Sequence, residues 1–239
     1  MDRLILAHDL GTSANKATLF SEGGELIASE THPDDSVFGP GGVAEQNPGD
    51  WWTAVCASTR KLLANGDATR VAAVAFSGMM QGCLCVGRDG NPLRPHMLYC
   101  DQRAIAEADR LRDRAGPDAV YRITGNAASA INSGSKYMLV KDHEPDIYRA
   151  THKVLNAKDY MNFKLTGRLA TDPTDASGTN MYDLEKWAWS EELIEAAGLD
   201  MRIFPDIVPS TGVLGELTRD AARTLGLKAG IPVMGGVPG

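Results

Sequence analysis

The chain has 239 residues, with 24 Lys and Arg against 31 Asp and Glu, a formal net charge of −7. Hydrophobic residues make up 43% and charged residues 23%. This composition excludes a disordered tail, a collagen-like fibre and a disulfide mini-protein, and leaves room for one large core, alone or with a smaller satellite. The acidic balance argues against a nucleic-acid partner, which would need clustered Lys and Arg to displace counterions. The longest basic cluster, Arg110, Arg112 and Arg114, alternates with Asp109 and Asp113, as on a solvated helix face.

Cys56, Cys83, Cys85 and Cys100 fit no zinc-ligand spacing and are too few for a disulfide scaffold of this size. They read as reduced thiols, with Cys83 and Cys85 on one face of a strand. No segment approaches the roughly 18 apolar residues that suggest a membrane span. Met1-Asp2-Arg3 followed by Leu4-Ile5-Leu6-Ala7 is too short for a signal-peptide core. The expectation is a cytoplasmic protein with no membrane partner.

Residues 4–9, 16–20 and 26–29 read as three short strands joined by tight turns, a meander. Asn47-Pro48-Gly49-Asp50 is a helix start: a capping side chain, a proline at the first helical position and an acid in the first turn. Trp52, Val55, Cys56, Thr59, Leu62 and Leu63 follow at helical spacing. Residues 70–76 are an apolar, β-branched run expected of a strand buried on both faces. Residues 82–86 and 92–99 flank Asp89-Gly90-Asn91, a hairpin turn. Helical periodicity then covers 105–115, 135–142, 158–165 and 191–197, and a late strand covers 231–234. The order predicts one α/β domain with a mixed sheet and a helical insertion between its last strands.

Four segments could carry chemistry. Asp9-Leu10-Gly11-Thr12-Ser13, with Lys16 close behind, sits at a strand end. Its amides and hydroxyls can face phosphate oxygens, Lys16 adds positive charge, and Asp9 can hold a hydrated Mg²⁺. A hairpin turn whose Asp bonds its own loop is the alternative. Ser77-Gly78-Met79-Met80-Gln81-Gly82 follows the buried strand, where α/β sheets bind ligands, and Gln81 offers the donor and acceptor that a polyol needs. Tyr99-Cys100-Asp101-Gln102-Arg103 places a carboxylate and a guanidinium at another strand end, to bind hydroxyls or to pair with neighbours. Thr171 to Thr179 is rich in turn and cap formers. Glu45-Gln46 and Lys158-Asp159-Tyr160 are weaker signals.

Taken together these segments resemble the N-terminal half of the FGGY carbohydrate kinases, and of xylulose kinases in particular. Asp9-Leu10-Gly11-Thr12-Ser13 resembles the family's first phosphate loop. Gly41-Gly42-Val43-Ala44-Glu45-Gln46-Asn47-Pro48 with Asp50-Trp51-Trp52 is similar to its entry to the first long helix. Residues 77–82 resemble the Ser-Gly-Gln-Met-His-Gly substrate segment, with Met79 for Gln and Gln81 for His. Residues 98–103 resemble Leu-Trp-x-Asp-x-Arg, with Tyr99 for Trp. Lys158-Asp159-Tyr160 with Leu165-Thr166-Gly167, and Asp175-Ala176-Ser177-Gly178-Thr179, complete the set.

The resemblance implies a ribonuclease-H-like, actin-like domain spanning 1–239, and a second domain, absent from this chain, that closes a cleft. It implies transfer of the ATP γ-phosphoryl group to a ketose or polyol hydroxyl with Mg²⁺. Asp9 would act through the metal, Gly11, Thr12, Ser13 and Lys16 would hold phosphate, and Met80, Gln81, Asp101 and Arg103 would line the sugar pocket. The family's base is an Asp in Gly-Gly-x-Asp. Gly235-Gly236-Val237-Pro238-Gly239 has none, so the base is expected beyond Gly239 and the chain alone is expected to be inactive. A non-catalytic nucleotide or sugar binder of the same fold is the alternative, and a homodimer is compatible with either.

Overall fold

The computed structural model describes residues 3–64 and 67–238, so the expectations for Met1, Asp2 and Gly239 lie outside the described residues. β1 (Leu4–Leu10), β2 (Ala14–Ser21) and β3 (Leu26–Pro33) form the expected antiparallel meander. Leu4, Leu6 and Leu10 alternate with more exposed neighbours and enter the core. Two short strands, β4 (Val37–Gly39) and β5 (Val43–Gln46), pair with each other before α1 (Pro48–Leu62). Asn47 caps that helix by accepting from the Gly49 amide, and Trp51, Val55 and Leu62 turn into the core.

The strand β6 (Val71–Gly78) runs parallel to β1, with Asp9 opposite Ser77 and Leu10 opposite Gly78. The strands Val213–Glu216 and Pro232–Met234 extend the sheet beyond β6, and Val237–Pro238 pairs with the last two residues of β6. A meander joined to parallel strands is the mixed sheet of the predicted ribonuclease-H-like α/β class. Residues 70–76 were expected to be buried on both faces. In the structure only Val71, Val74, Phe76 and Gly78 are buried, while Ala73, Ala75 and Ser77 are half-buried on the other side. The small side chains keep that second face shallow.

His8 tells the faces apart. It stacks on Phe76 at 4.6 Å between ring centroids and lies beneath α1. Asn15 Nδ2 lies 3.1 Å from His8 Nδ1 and donates to Ser58 Oγ, while Thr59 Oγ1 lies 3.3 Å from His8 Nε2. Burial pushes the His8 imidazole down to about 4, so it sits in the core as a neutral ring. Asp9, one residue on, therefore faces away from α1.

After β6 come β7 (Leu84–Val86) and β8 (His96–Met97), then the helical insertion. The hairpin at Asp89-Gly90-Asn91 is present, through the Val86–Pro92 and Cys83–Met97 bridges, but the predicted strand 92–99 contracts to His96–Met97. Pro92 and Pro95 cannot donate to a ladder, which accounts for the shortening. The helices α2 (Ile105–Ala115), α3 (Pro117–Thr124), α4 (Ser133–His143), α5 (Pro145–Ala150) and α8 (Glu191–Ala197) gather mainly around a second core of Leu111, Val120, Met138, Leu193 and Phe204. Between them in sequence, α6 (Ala157–Thr166) and α7 (Pro173–Ser177) lead back to the sheet, and Met161 and Leu165 join the first core. The short helices α3, α5 and α7, each begun by a proline, have too few turns to show a periodic stripe.

Candidate functional site

The C-terminal ends of β1 and β6 open into a cavity of about 400 Å³. Asp9, Leu10, Gly11 and Thr12 line one wall, and Met79, Met80, Gln81 and Tyr99 the other. The parallel register puts Ser77 beside Asp9, and Ser77 Oγ donates to Asp9 Oδ1 at 3.1 Å. Lys16 lies opposite Asp9 on β2, so Asp9, Lys16 and Ser77 form one row across three strands. Asp9 and Lys16 are exposed. Among the described residues the Asp9 carboxylate thus has one donor, on Oδ1, and no partner on Oδ2, an arrangement that suits Mg²⁺, which takes one or two carboxylates and keeps its water.

The loop after β1 differs from expectation in one detail. The Gly11 amide is spent inside the turn, donating to the Ala14 carbonyl at 3.0 Å. Among the described residues no acceptor engages the amides of Thr12 and Ser13, so those two are the available donors. The Thr12 carbonyl is fixed from behind: Gln46 Nε2 donates to it at 2.8 Å, and Trp51 Nε1 donates to Gln46 Oε1 at 2.9 Å. Ser36 Oγ donates to the same carbonyl. The weak Glu45-Gln46 signal therefore marks a brace for the loop, linked to a fully buried tryptophan.

Across the cavity, Gln81 holds φ +61°, a left-handed conformation that costs a non-glycine residue about 1–2 kcal/mol. Its neighbours enforce it. A Cβ on Gly82 would lie 1.9 Å from His96 Nε2, so only glycine fits after Gln81. A Cβ on Gly178 would meet Met80 Cε at 2.7 Å and Gln81 Cγ at 3.0 Å, so the 175–179 stretch packs directly behind the two lining residues. Tyr99, 44% exposed, completes the wall.

Asp101 and Arg103 do not line this cavity. Asp101 is fully buried; its Oδ2 accepts from the Ala44 amide and its Oδ1 from the Arg103 amide. Arg103 Nε and Nη2 close on the same carboxylate, and Nη2 reaches Glu45 Oε1 at 2.5 Å. Arg94 joins Glu45 to Glu144. Burial alone would raise the Asp101 carboxyl, but the Arg103 and backbone hydrogen bonds outweigh it and hold the group below the usual range. Of the two roles left open by the sequence, the geometry supports pairing with neighbours: this network fixes the turn that presents Tyr99.

A second buried cluster stands behind β6. The Lys158 ammonium lies 3.0 Å from Asp159 Oδ1, 3.0 Å from Asp172 Oδ1 and 3.1 Å from Asp175 Oδ2, and donates to the Gly235 carbonyl at 3.2 Å. The three carboxylates are close enough together to hold a metal, but the lysine occupies the place of the cation. One ammonium cannot neutralise three carboxylates. Burial, partly offset by Lys158 and reinforced by Asp159 and Asp172, pushes Asp175 up to about 8, so it carries the cluster's proton near neutrality. Gly236, at φ +86°, turns the chain so closely that a Cβ would come within 2.3 Å of the Phe76 carbonyl.

A larger hollow of about 520 Å³ lies on the helical insertion, among Arg88, Tyr148, His152 and Arg202. Arg202 and Arg149 there are paired with Asp200 and Asp146, and Lys153 donates to the Arg202 and Phe204 carbonyls. It includes none of the residues at the strand ends, so the smaller cavity is the candidate site.

Residues 4–238 match the FGGY family of carbohydrate kinases, N-terminal domain, and the chain belongs to that family. Within it, the chain is 31% identical over 232 residues to the xylulose kinase of Staphylococcus xylosus, covering 97% of this chain and 48% of that protein. It is 33% identical over 229 residues to the xylulose kinase of Escherichia coli strain K12, covering 95% and 46%. The solved xylulose kinase of Rhodospirillum rubrum superposes with a TM-score of 0.94 at 28% identity, over 99% of this chain and 49% of that one. The gluconate kinase of Lactobacillus acidophilus superposes with 0.93 at 25%, over 100% and 48%. The chain spans about half the length of the curated relatives it matches.

The buried cluster yields a paired expectation. Lys158→Met should cost about 3–5 kcal/mol in denaturant unfolding, because it strands buried carboxylates. Asp175→Asn should cost far less at pH 7, since an amide replaces an already protonated acid. The sign with pH follows from the raised carboxyl. Between about pH 4 and pH 8 the folded state holds a proton that the unfolded state has lost, so this group reduces stability as pH rises. The stability difference should therefore move in favour of Asp175→Asn across that window. A constant difference would mean Asp175 is ionised throughout.

Proposed function

We propose that this chain is the sugar-binding lobe of an ATP-dependent carbohydrate kinase that phosphorylates a hydroxyl of a ketose or polyol. The observation that carries the reading is the cavity between the strand ends, with Asp9, Gly11 and Thr12 on one side and Met80, Gln81 and Tyr99 on the other, and with Lys16 opposite Asp9 on the next strand. The names of the relatives, xylulose kinase and gluconokinase, favour a small linear sugar or sugar acid as acceptor.

In this reading the amides of Thr12 and Ser13 donate to phosphate oxygens, and Lys16 adds positive charge on the same sheet face. Gly11 leaves that wall bare of side chain. Asp9 holds the Mg²⁺, which when bound supplies charge neutralisation at the phosphates. Ser77 orients the Asp9 carboxylate through Oδ1, and Oδ2 would be available to a metal. Gln81 exchanges hydrogen bonds with sugar hydroxyls, while Met80 and Tyr99 cover the carbon skeleton. Asp101 and Arg103 act one step back, through the turn that carries Tyr99. Residues 235–239 contain no carboxylate, so the group that accepts the hydroxyl proton comes from outside them. A cytoplasmic setting fits the four free thiols and, among the described residues, the lack of any helix long and apolar enough to cross a membrane.

A coupled ADP-release screen of the full-length enzyme with D-xylulose, D-ribulose, D-fructose, gluconate, glycerol and erythritol tests the proposal. Turnover with at least one is expected; none with any, from a folded protein, would favour a non-catalytic binder. Asp9→Asn should reduce kcat by about 10²-fold or more through lost metal positioning. Its fold should survive, because the side chain is exposed and an amide oxygen still accepts from Ser77. Unchanged turnover with a lowered Tm would make Asp9 structural. Gln81→Ala should weaken sugar binding by about 0.5–1.5 kcal/mol and leave ATP binding nearly alone. Calorimetry with each ligand separately would show the asymmetry, and equal weakening of both would contradict it.

A further inference from the structure

Behind Gln81 lies a cation that neither the family's motifs nor the reaction above employs. Lys136, in the first turn of α4, is completely buried. Its ammonium donates to the main-chain carbonyls of Gln81 at 3.1 Å, Ala130 at 2.7 Å and Ile131 at 2.6 Å. Those three bonds use all three of its hydrogens. Among the described residues it forms no ion pair. A buried ammonium hydrogen-bonded only to carbonyls is an expensive arrangement, and the carbonyl cage is its direct compensation. The cage joins the segment that lines the cavity to the loop at the start of α4.

We propose that Lys136 is a positioning residue for the sugar side of the cleft: its ammonium fastens the Gln81 carbonyl and so holds Gln81 in the left-handed conformation that keeps its side chain on the cavity wall. The proposal rests on the reading of Gln81 as a sugar ligand. It carries a consequence for pH. Burial, only partly offset by the nearby Asp101 carboxylate, lowers Lys136 to about 8. A neutral amine has two hydrogens and a lone pair, so one carbonyl loses its donor and meets a lone pair instead.

The titratable and charged groups facing Lys136 are Cys83, Arg94, His96, Cys100 and Asp101. His96 is pushed down to about 3 by burial and by the Lys136 and Arg94 charges, and so stays neutral. Asp101 stays ionised beside Arg103, and Arg94 stays charged against Glu45 and Glu144. The Cys83 thiol is held protonated by its hydrogen bond to Cys85 and by burial. Cys100 also faces Lys136, and Cys100→Ser serves as a control.

Stability should move the other way from affinity. The unfolded chain keeps the Lys136 proton to about 10.5, so between about pH 8 and 10.5 this residue makes the fold more stable as pH rises. A merely structural lysine would not weaken sugar binding while the fold gains stability.

Two measurements test the proposal. NMR of the 239-residue chain without sugar, from pH 6.5 to 9.5, should show the Lys136 side chain and the Gly82 amide, on the peptide whose carbonyl it holds, titrating with a common midpoint near 8. Cys100→Ser should keep that transition and Lys136→Met should abolish it. In the full-length enzyme, Lys136→Met should raise the KM for D-xylulose about five- to tenfold, with kcat and the KM for ATP within about twofold. The wild-type KM for D-xylulose should rise similarly above pH 8. Titration of the Lys136 side chain with no transition at Gly82 would overturn the clamp, and so would an unshifted Gly82 amide in folded Lys136→Met; the first arm stands even if that variant fails to fold. A transition at Gly82 with no change in KM would overturn the role in sugar positioning. Absence of turnover with any acceptor would instead sink the kinase reading, leaving the NMR titration to decide the clamp.

Discussion

The strand ends that form the cavity are held by buried ammonium groups, and the tightest constraint is that of Lys158. Its side chain leaves α6, passes behind Gly78, where a Cβ would lie 3.3 Å from Lys158 Cβ, and ends among three aspartates and the Gly235 carbonyl. Asp172 and Asp175 belong to the N-terminus of α7, and Asp159 to α6 itself. A single cation therefore fixes one helix, the start of another and the bend that brings Val237 beside Ser77. With the carboxylates in place, the strand Val237–Pro238 can pair with the end of β6, next to Asp9. Packing alone would not select that path, because Gly235 and Gly236 offer no side chains to grip.

The same device recurs on the other wall with a different counter-group. Lys158 has carboxylates and is strongly held in its charged form, whereas Lys136 has only carbonyls and is held weakly. The difference matches what each supports. Lys158 fixes the path of the sheet, where movement would disturb β1 and β6 together. Lys136 fixes one strained residue on the cavity wall, where a loss of order alters ligand contacts without unravelling the core. A third brace, Trp51 through Gln46 to the Thr12 carbonyl, is neutral and serves the loop after β1.

How much of this was legible in the sequence follows from the range of each interaction. The meander, the Asn47 cap and the loop at Asp9 depend on neighbours within a few residues, and they are found where the spacing put them. For Arg103 the sequence left hydroxyl binding and pairing with neighbours both open: Asp101, two residues away, takes its guanidinium, but nothing nearby in sequence reveals Glu45, 58 positions away, which completes the pairing. Lys136 carried no signal at all. Within a helical run a lysine normally marks the solvent face, but residues 133–140 of α4 are buried on every side, so the periodicity is silent there. Lys158-Asp159-Tyr160 did register as a motif, but its meaning required Asp172 and Asp175, which composition reads as ordinary turn formers. The strand 92–99 was over-read because its apolar residues count toward a strand while its two prolines remove ladder donors.

Gln81 brings these constraints to bear on chemistry. Where the family's substrate segment has a histidine, this chain has a neutral amide that stays both donor and acceptor at every working pH. A histidine there would titrate near neutrality and exchange a donor for an acceptor as it did so. The amide gives up that switch on the cavity wall. Its backbone, however, needs a left-handed turn that glycine would adopt freely and glutamine does not. The strain is sustained by the close approach of His96 at Gly82, by the space left at Gly178, and by the ammonium at its carbonyl. On the proposed reading, sensitivity to protons is thereby moved from the side chain on the cavity wall to the one that fixes its main chain. The contact surface itself keeps a constant hydrogen-bonding pattern, and its order is set from the core.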